Sequence, residues 1–352
     1  MKYSTRQLNK EDWLAITKDV FLPMTQTFDY SDWHTALGRT VLRFAIDDEN
    51  KNSVAIFQIF KFDLRFGKNY LYIPHGPVFL SAVSVDFWEF FKNFILSEVA
   101  DTATVFVRFD LSNEKLHSLN FDHSLFYKVP KRMYYRNYQP KFESVINLSK
   151  NENELKSSIH RTARYLINVP LRRGVVVEIV NSDKLLSYFD DFYNLLETTA
   201  QKDKFRTHGK AYYRAVFENM AKEGNGFLVV LKKGTKIVLA NLVYITPSKE
   251  AVFLFGGSQS HLSENKGISY LGQWIGITEA KARGCFRYNF GGFWLPELGE
   301  FNQYFSWEGF SKFKQKFGGE VLEYTDFYDI IVKPFWYKIT DLKKAIRFIN
   351  LI

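Results

Sequence analysis

Two glycine pairs occur in residues 286–323, FRYNFGGFWLPELGEFNQYFSWEGFSKFKQKFGGEVLE, the segment around which the rest of the chain is organised. The run before Gly291-Gly292 alternates apolar side chains, which predicts a strand ending where other groups can approach the backbone closely. The run before Gly318-Gly319 carries Lys314 and Lys316 two residues apart between aromatic side chains. A glycine pair after a strand is usually a turn or a bulge. Two such segments in this order favour a site.

Working outward, the same order of elements is predicted in both halves of the chain. In the second half, FLVVLKK, KIVLANLVYI and AVFLFGG read as strands, GISYLGQWIGITEAKA as a helix ending at Gly284, and FRYNF as a further strand. In the first half, TVLRFAI, SVAIFQIFKFDL and YLYIPHGPVF are strands, followed by an amphipathic helix and the strand ATVFVRFDL. Each half therefore reads strand, strand, strand, helix, strand.

The join between the halves lies in RNYQPKFESVINLSKNENELKSSIHRTARYLINV. Ser149, three residues before Glu152, predicts a capping-box helix start. The helix is expected to place Leu155, Ile159 and Leu166 inward and Lys156, His160, Arg161 and Arg164 largely outward. Pro170 should end or kink it early.

YNFGGF followed by FKQKFGGE resembles the FemABX family, aminoacyltransferases that add amino acids to the peptidoglycan stem peptide from aminoacyl-tRNA. The resemblance implies an α+β fold of two tandem GNAT-like (N-acetyltransferase) domains, with mixed sheets flanked by helices. Domain 1 would comprise residues 1–143, completed by 325–352, and domain 2 residues 144–324. There is no room for the long helical-hairpin arm, so the chain resembles the armless, FemX-like members. The usual family segment is YDFGG, from which Asn289 departs.

The resemblance also implies roles for individual residues. Lys314 would stabilise the transition state, and Phe313 would shape the pocket. Removing a donor to an oxyanion commonly costs about 3 to 4 kcal/mol of barrier. The alternative is that Lys314 and Lys316 alternate outward on a strand as solvated charges. The expected substrate-binding residues are Arg39, Arg206, His208, Lys210, Tyr270 and Asn289.

The sequence indicates a site for the aminoacyl donor but no general base. A basic helix with Arg161 and Arg164 matches the family's K/R-x-x-R before Gly174-Val175, and with Arg172-Arg173 it is expected to bind tRNA. The acceptor would be a UDP-linked or lipid-linked peptidoglycan precursor. Asp326, Glu320 and Asp329 lie close in sequence, but carboxylates near a loop are more often surface groups, so no general base is assigned.

Two other functions fit the same fold. An acyl-CoA-dependent N-acyltransferase needs a glycine-rich pyrophosphate loop before a helix, but residues 264–269, ENKGIS, contain one glycine. A non-catalytic protein that binds RNA or a membrane surface would keep the basic residues without the chemistry of Lys314. No zinc-ligand spacing or GxSxG elbow occurs, so neither a metal nor a cofactor is expected beyond aminoacyl-tRNA as co-substrate.

Composition sets the cellular context. The chain has 352 residues, 46% of them hydrophobic, and a net charge of +9, which favours a polyanionic partner. The single cysteine, Cys285, fits a structural role and a reducing compartment. Without an apolar leader or membrane span, a cytoplasmic monomer is expected. The tail, with Leu342, Ile346 and Ile349 on one helical face, predicts either peripheral contact with the inner membrane face or packing on the first domain.

Overall fold

The computed structural model describes residues 3–111, 119–130, 139–203, 205, 207–295 and 308–340. The strands, numbered along the chain, are β1 Ser4–Gln7, β2 Val41–Asp47, β3 Ser53–Asp63, β4 Asn69–Ile73, β5 Val78–Phe79, β6 Thr104–Phe109, β7 Tyr127–Lys128, β8 Phe142–Asn147, β9 Val175–Asn181, β10 Gly226–Lys233, β11 Lys236–Ile245, β12 Glu250–Ser258, β13 Arg287–Gly292, β14 Glu320–Glu323 and β15 Tyr328–Ile331. The α-helices are α1 Lys10–Thr17, α2 Phe28–Thr35, α3 Phe87–Phe94, α4 Glu152–Ser158, α5 Arg161–Arg172, α6 Phe189–Asp203, α7 Lys210–Glu223, α8 Ile268–Ala282 and α9 Glu308–Gln315.

The chain divides into two compact units. The first comprises Met1–Lys141, Trp294–Ser306 and Glu323–Ile352, and the second Phe142–Phe293 and Trp307–Leu322. The boundaries expected from the sequence, after residues 143 and 324, remain a prediction about domains. Strand β8 begins at Phe142 and lies in the second unit.

Each unit has one mixed sheet, and the two sheets repeat the same plan. The first has the order β1-β2-β3-β4-β6-β15-β7, with β5 paired to β3, and the second has the order β9-β10-β11-β12-β13-β8-β14. Each sheet contains a parallel pair at its centre, β4 with β6 in the first and β12 with β13 in the second. A parallel pair needs a crossover connection. Helix α3 lies in the first crossover and α8 in the second, so the predicted α+β class with tandem GNAT-like units is confirmed.

The core of each unit forms where its sheet meets its helices. In the first unit Phe87, Trp88 and Phe91 of α3 are fully buried against strand residues that include Phe57. In the second, Leu271 and Ile277 of α8 pack among buried residues of β10 and β11. Cys285 is buried in this core, and burial raises the pKa of its thiol to about 11. A thiol so raised is largely protonated at neutral pH and unreactive.

The helix after the join starts later than expected and is interrupted. The capping box uses Asn151 and Glu154, not Ser149 and Glu152. Asn151 Oδ1 accepts from the Glu154 amide at 3.0 Å, and Glu154 Oε2 accepts from the Asn151 amide at 2.8 Å. The Ser149 amide instead donates to Asn147 Oδ1 at 2.9 Å in the turn after β8. Ser149 therefore belongs to the turn that ends the strand and does not start the helix.

A break after Ser158 then separates α4 from α5. Leu155 and Ile159 are buried as expected, whereas Leu166 is only half-buried. Helix α5 continues through Pro170 to Arg172, so the expectation of an early end is wrong. Pro170 lies in the last turn, where its missing amide costs one helical hydrogen bond, that to the carbonyl of Leu166.

A buried ion pair ties β15 to the first sheet. Arg108 Nε and Nη2 each donate to one carboxylate oxygen of Asp329 at 2.8 Å, and Tyr337 Oη donates to Asp329 Oδ2 at 2.7 Å. The expectation that Asp329 is a surface carboxylate is therefore wrong. Its two oxygens accept three hydrogen bonds in the interior, an arrangement suited to holding a strand.

Candidate active site

Lys314 and the glycine pair after β13 come together in the second unit. The Lys314 ammonium donates to the carbonyl oxygen of Gly291 at 3.3 Å and to that of Gly292. Lys314 lies on α9, so the alternative that it alternates outward on a strand is wrong. The side chain is partly buried, and burial lowers its pKa to about 8, against the opposing charge of Glu143.

The second glycine pair holds the end of α9 against its neighbours. Gly318 has a φ of +73°, and a Cβ there would lie 2.4 Å from the carbonyl oxygen of Ser158. A Cβ on Gly319 would lie 2.6 Å from the carbonyl oxygen of Val145 on β8. Both positions exclude a side chain because the obstructing atoms are backbone. The FGG segment thus brings α9 close enough to β8 and β13 for Lys314 to reach the carbonyls.

Asn289 forms a neutral bridge between two buried glutamates. Its Nδ2 donates to Glu143 Oε2 at 2.8 Å and to Glu250 Oε1 at 3.2 Å. Its Oδ1 accepts from the Gly291 amide at 2.7 Å, which fixes the orientation of the side-chain amide because only an oxygen can accept there. An aspartate at this position would face two carboxylates, which gives a physical reason for Asn289 in this chain.

The sequence did not indicate that Glu143 and Glu250 belong to the site. Glu143 lies on β8 opposite Gly292, and Glu250 opens β12 opposite Arg287. Burial raises the pKa of Glu250 to about 7, with the Arg287 charge lowering it and Glu143 adding to the rise. Their meeting depends on strand register between distant segments. No local spacing predicts it.

Tyr270 and Phe313, which the sequence placed in the site, pack beside each other. Their ring centroids lie 4.8 Å apart, and Tyr270 also stacks on Phe317 at 6.0 Å. The Lys316 ammonium donates to Tyr270 Oη at 3.1 Å. These contacts place one predicted substrate-binding residue against the aromatic neighbour of Lys314.

Sequence comparison assigns the chain to a family. The model of the FemAB family matches it twice, over residues 112–231 and 225–344. The chain belongs to the FemAB family. The resemblance drawn from the two glycine segments is therefore confirmed.

Curated relatives match only a part of this FemAB protein. Lipid II:glycine glycyltransferase of Staphylococcus haemolyticus is 26% identical over 129 residues, 37% of this chain and 29% of the relative. The enzyme of the same name from Staphylococcus epidermidis is 28% identical over 126 residues, 36% of this chain and 29% of the relative. The alignment thus spans less than a third of each relative's length.

Solved structures show the same fold. The crystal structure of FemX superposes with a TM-score of 0.76 at 15% identity and covers 96% of this chain and 99% of that one. The C-terminal domain of a putative lysylphosphatidylglycerol synthetase from Agrobacterium fabrum gives a TM-score of 0.60 at 14% identity, covering 96% of both chains. These similarities concern the fold alone.

The predicted tRNA-binding arginines of this FemAB protein lie on the exposed side of α5 and at its end. Arg161 and Arg172 are exposed; Arg164 Nη1 donates to the carbonyls of Lys156 and Ser157. Arg173 Nη1 donates to the carbonyls of Ser263 and Glu264 at 3.1 and 3.4 Å. Three of the four arginines thus belong to α5, and Arg173 directly follows it in the second unit.

Three of the other predicted substrate-binding residues have neighbours of their own within their units. His208 lies with its ring 4.4 Å from that of Tyr212, and exposed Lys210 pairs with Asp190 at 2.9 Å. In the first unit Arg39 Nη1 lies 2.7 Å from His34 Nδ1 and over the ring of Phe62. Arg206 lies outside the described residues. These four roles remain predictions.

Helix α5 closely approaches the residue that precedes α8. Gly267, the residue before α8, has a φ of +92°, and a Cβ on it would lie 2.3 Å from the Leu166 carbonyl oxygen and 3.2 Å from Pro170 Cδ. Leu166 is the residue whose carbonyl has no helical donor because of Pro170. Its oxygen therefore lies close to the backbone of Gly267, beside the start of α8.

Proposed function

We propose that this FemAB protein transfers an amino acid from aminoacyl-tRNA to an amino group on the stem peptide of a peptidoglycan precursor. The observation that carries the proposal is the Lys314 ammonium held by the carbonyls of Gly291 and Gly292. An ammonium has three N–H donors, so two fix its position and one remains to donate to a substrate. The names of the glycyltransferase relatives support the choice of reaction and acceptor class.

The reaction needs no covalent enzyme intermediate. The neutral amine of the acceptor attacks the carbonyl carbon of the aminoacyl ester. The carbonyl oxygen then becomes an oxyanion that accepts a hydrogen bond from the third N–H of Lys314. The bond from carbon to the ribose oxygen then breaks and the amide remains. The amine loses one proton and the ribose oxygen gains one, so protons balance. A positioned donor of this kind contributes about 3 to 4 kcal/mol.

The close approach of the Leu166 carbonyl to Gly267, before α8, supports aminoacyl-tRNA over acyl-CoA as the donor. A CoA pyrophosphate bound at a helix N-terminus accepts hydrogen bonds from its free amides. Here the Leu166 carbonyl oxygen lies beside Gly267, and two oxygens that both carry negative charge repel each other. The basic side of α5 can instead contact a different polyanion, the tRNA.

The tRNA contacts predict a salt dependence. Binding of aminoacyl-tRNA should weaken steeply as salt rises, and replacing Arg161 and Arg164 by alanine should flatten the slope by about one unit per lost phosphate contact. Fluorescence anisotropy with labelled charged tRNA at several salt concentrations measures the slope. Lys222→Ala, an exposed cation of α7, is the matched control and should keep the wild-type slope. An unchanged slope in the arginine variant would remove α5 from the tRNA site.

The buried glutamates predict a pH effect on transfer. Lys314 acts as an ammonium, so its pKa of about 8 sets the alkaline limb of the rate profile. Asn289→Asp adds a negative charge nearby, which favours the ammonium and should move this limb to higher pH. Glu143→Gln removes a negative charge and should move the alkaline limb to lower pH. Single-turnover rates between pH 6 and 10 measure both, and equal limbs in all three proteins would contradict the assignment.

The cellular role is tested by mass spectrometry of muropeptides. Cells with the gene should carry an amino acid on the stem peptide that cells without it lack. Identical muropeptides in both strains would refute the proposed acceptor.

A further inference from the structure

The most exposed aromatic side chains of the described residues meet at one place in the first unit. Phe335 is 70% exposed and Phe66 is 68% exposed, and the ring of Trp336 lies 6.0 Å from each of theirs. These three residues are called the aromatic patch. Single exposed apolar side chains are ordinary on protein surfaces, whereas contiguous ones mark contact sites.

The local structure turns these rings outward. Phe66 lies in the turn between β3 and β4 with a φ of +62°, a conformation that favours glycine and costs a phenylalanine on the order of 1 kcal/mol. Residues 334–340 are helical, and Tyr337 anchors them by its hydrogen bond to Asp329. Phe335 remains exposed beside that anchor. Both phenylalanines therefore present most of their ring surface to solvent.

Positive charge surrounds the aromatic patch. Residues 63–68, DLRFGK, and 333–338, KPFWYK, together carry four cationic side chains and one anionic side chain. The Lys68 ammonium lies 5.2 Å from the centroid of the Trp336 ring. Aromatic rings flanked by lysine and arginine are the combination that enters the headgroup region of a bilayer, with the ring at the interface and the cations on the phosphates.

We propose that the aromatic patch docks the protein on an anionic lipid bilayer. No helix among the described residues could cross a membrane, so the contact would be peripheral. Phe66 and Phe335 would insert at the interface, and Arg65, Lys68 and Lys338 would lie among the lipid phosphates. The inference concerns a surface of the first unit and stands independently of the transfer reaction.

Vesicle flotation of the full chain tests the proposal. The protein should float with phosphatidylglycerol–phosphatidylcholine vesicles and much less with phosphatidylcholine alone. Phe66→Ser with Phe335→Ser should lower the partition coefficient roughly tenfold, since two rings lose their apolar contact. Val85→Ser, which removes an equally exposed apolar side chain of the same unit, is the control and should float like wild type. Equal flotation of the double variant would overturn the proposal.

A second measurement keeps the test independent of stability. Brominated lipids quench tryptophan that enters the acyl boundary, so wild type should be quenched and Trp336→Phe should lose most of that quenching. Absence of quenching in wild type would overturn the proposal. Flotation lost only on removal of residues 341–352 would also overturn it, because those residues would then make the lipid contact. A patch variant that changes from dimer to monomer in sedimentation would overturn it as well, because the occupant would then be a second copy.

Discussion

Replacing Lys314 by methionine is expected to lower the turnover of aminoacyl transfer at least about a hundredfold, because it removes the donor to the oxyanion. Methionine keeps the unbranched stem that packs in the site and deletes only the ammonium. The loss should appear in kcat at saturating acceptor, since the donor acts on charge that develops in the transition state. Single-turnover kinetics with charged tRNA measure it directly.

Lys312→Met is the matched control for this experiment. Lys312 lies on the same helix, is mostly exposed and pairs with Glu308 at 2.6 Å, an (i, i+4) surface pair of small energetic value. Its variant should turn over like wild type. Near-normal turnover of Lys314→Met, or equal losses in both variants, would exclude Lys314 from the mechanism.

Replacing Asp329 by alanine is expected to destabilise the first unit by about 3 to 5 kcal/mol, because Arg108 would keep its charge in the interior without a partner. The Tyr337 hydroxyl would lose its acceptor as well. Urea unfolding followed by a probe in the first unit measures the loss. A probe in the second unit, which has its own core, follows the unfolding of that unit separately.

A double variant separates the pair from the buried charge. Arg108→Met with Asp329→Leu removes both charges and fills the space with apolar side chains, which is often neutral for buried pairs. It should recover most of the stability lost in Asp329→Ala. A single variant within about 1 kcal/mol of wild type would show that the ion pair contributes no more than an exposed one.

Local sequence predicted what depends on local chemistry. The glycine pairs, the lysine between aromatics and the repeated order of strands and helices follow from residues near each other in the chain, and the fold reproduces them. Asn289 was predicted to bind substrate and was noticed as a departure from the family segment, but its surroundings were not predicted. The physical reason for an asparagine there is the pair of carboxylates that flank it, Glu143 on β8 and Glu250 on β12.

The errors also have physical causes. Two capping boxes overlap in SKNENE, with Ser149 and Asn151 as rival first residues, and the turn after β8 takes Ser149. Pro170 is tolerated in the last turn of α5 because only one carbonyl, that of Leu166, loses its hydrogen-bond donor. Asp329 looked like a loop carboxylate because its partner, Arg108, is 221 residues away in the chain.

Transfer from purified charged tRNA to a purified stem-peptide precursor tests the central claim most directly, with the product weighed by mass spectrometry. The precursor is expected to gain the mass of one or more amino acid residues only when charged tRNA is present, and RNase should abolish the gain. A precursor that stays unchanged with charged tRNA, or one that is acylated from acyl-CoA in the presence of RNase, would contradict it.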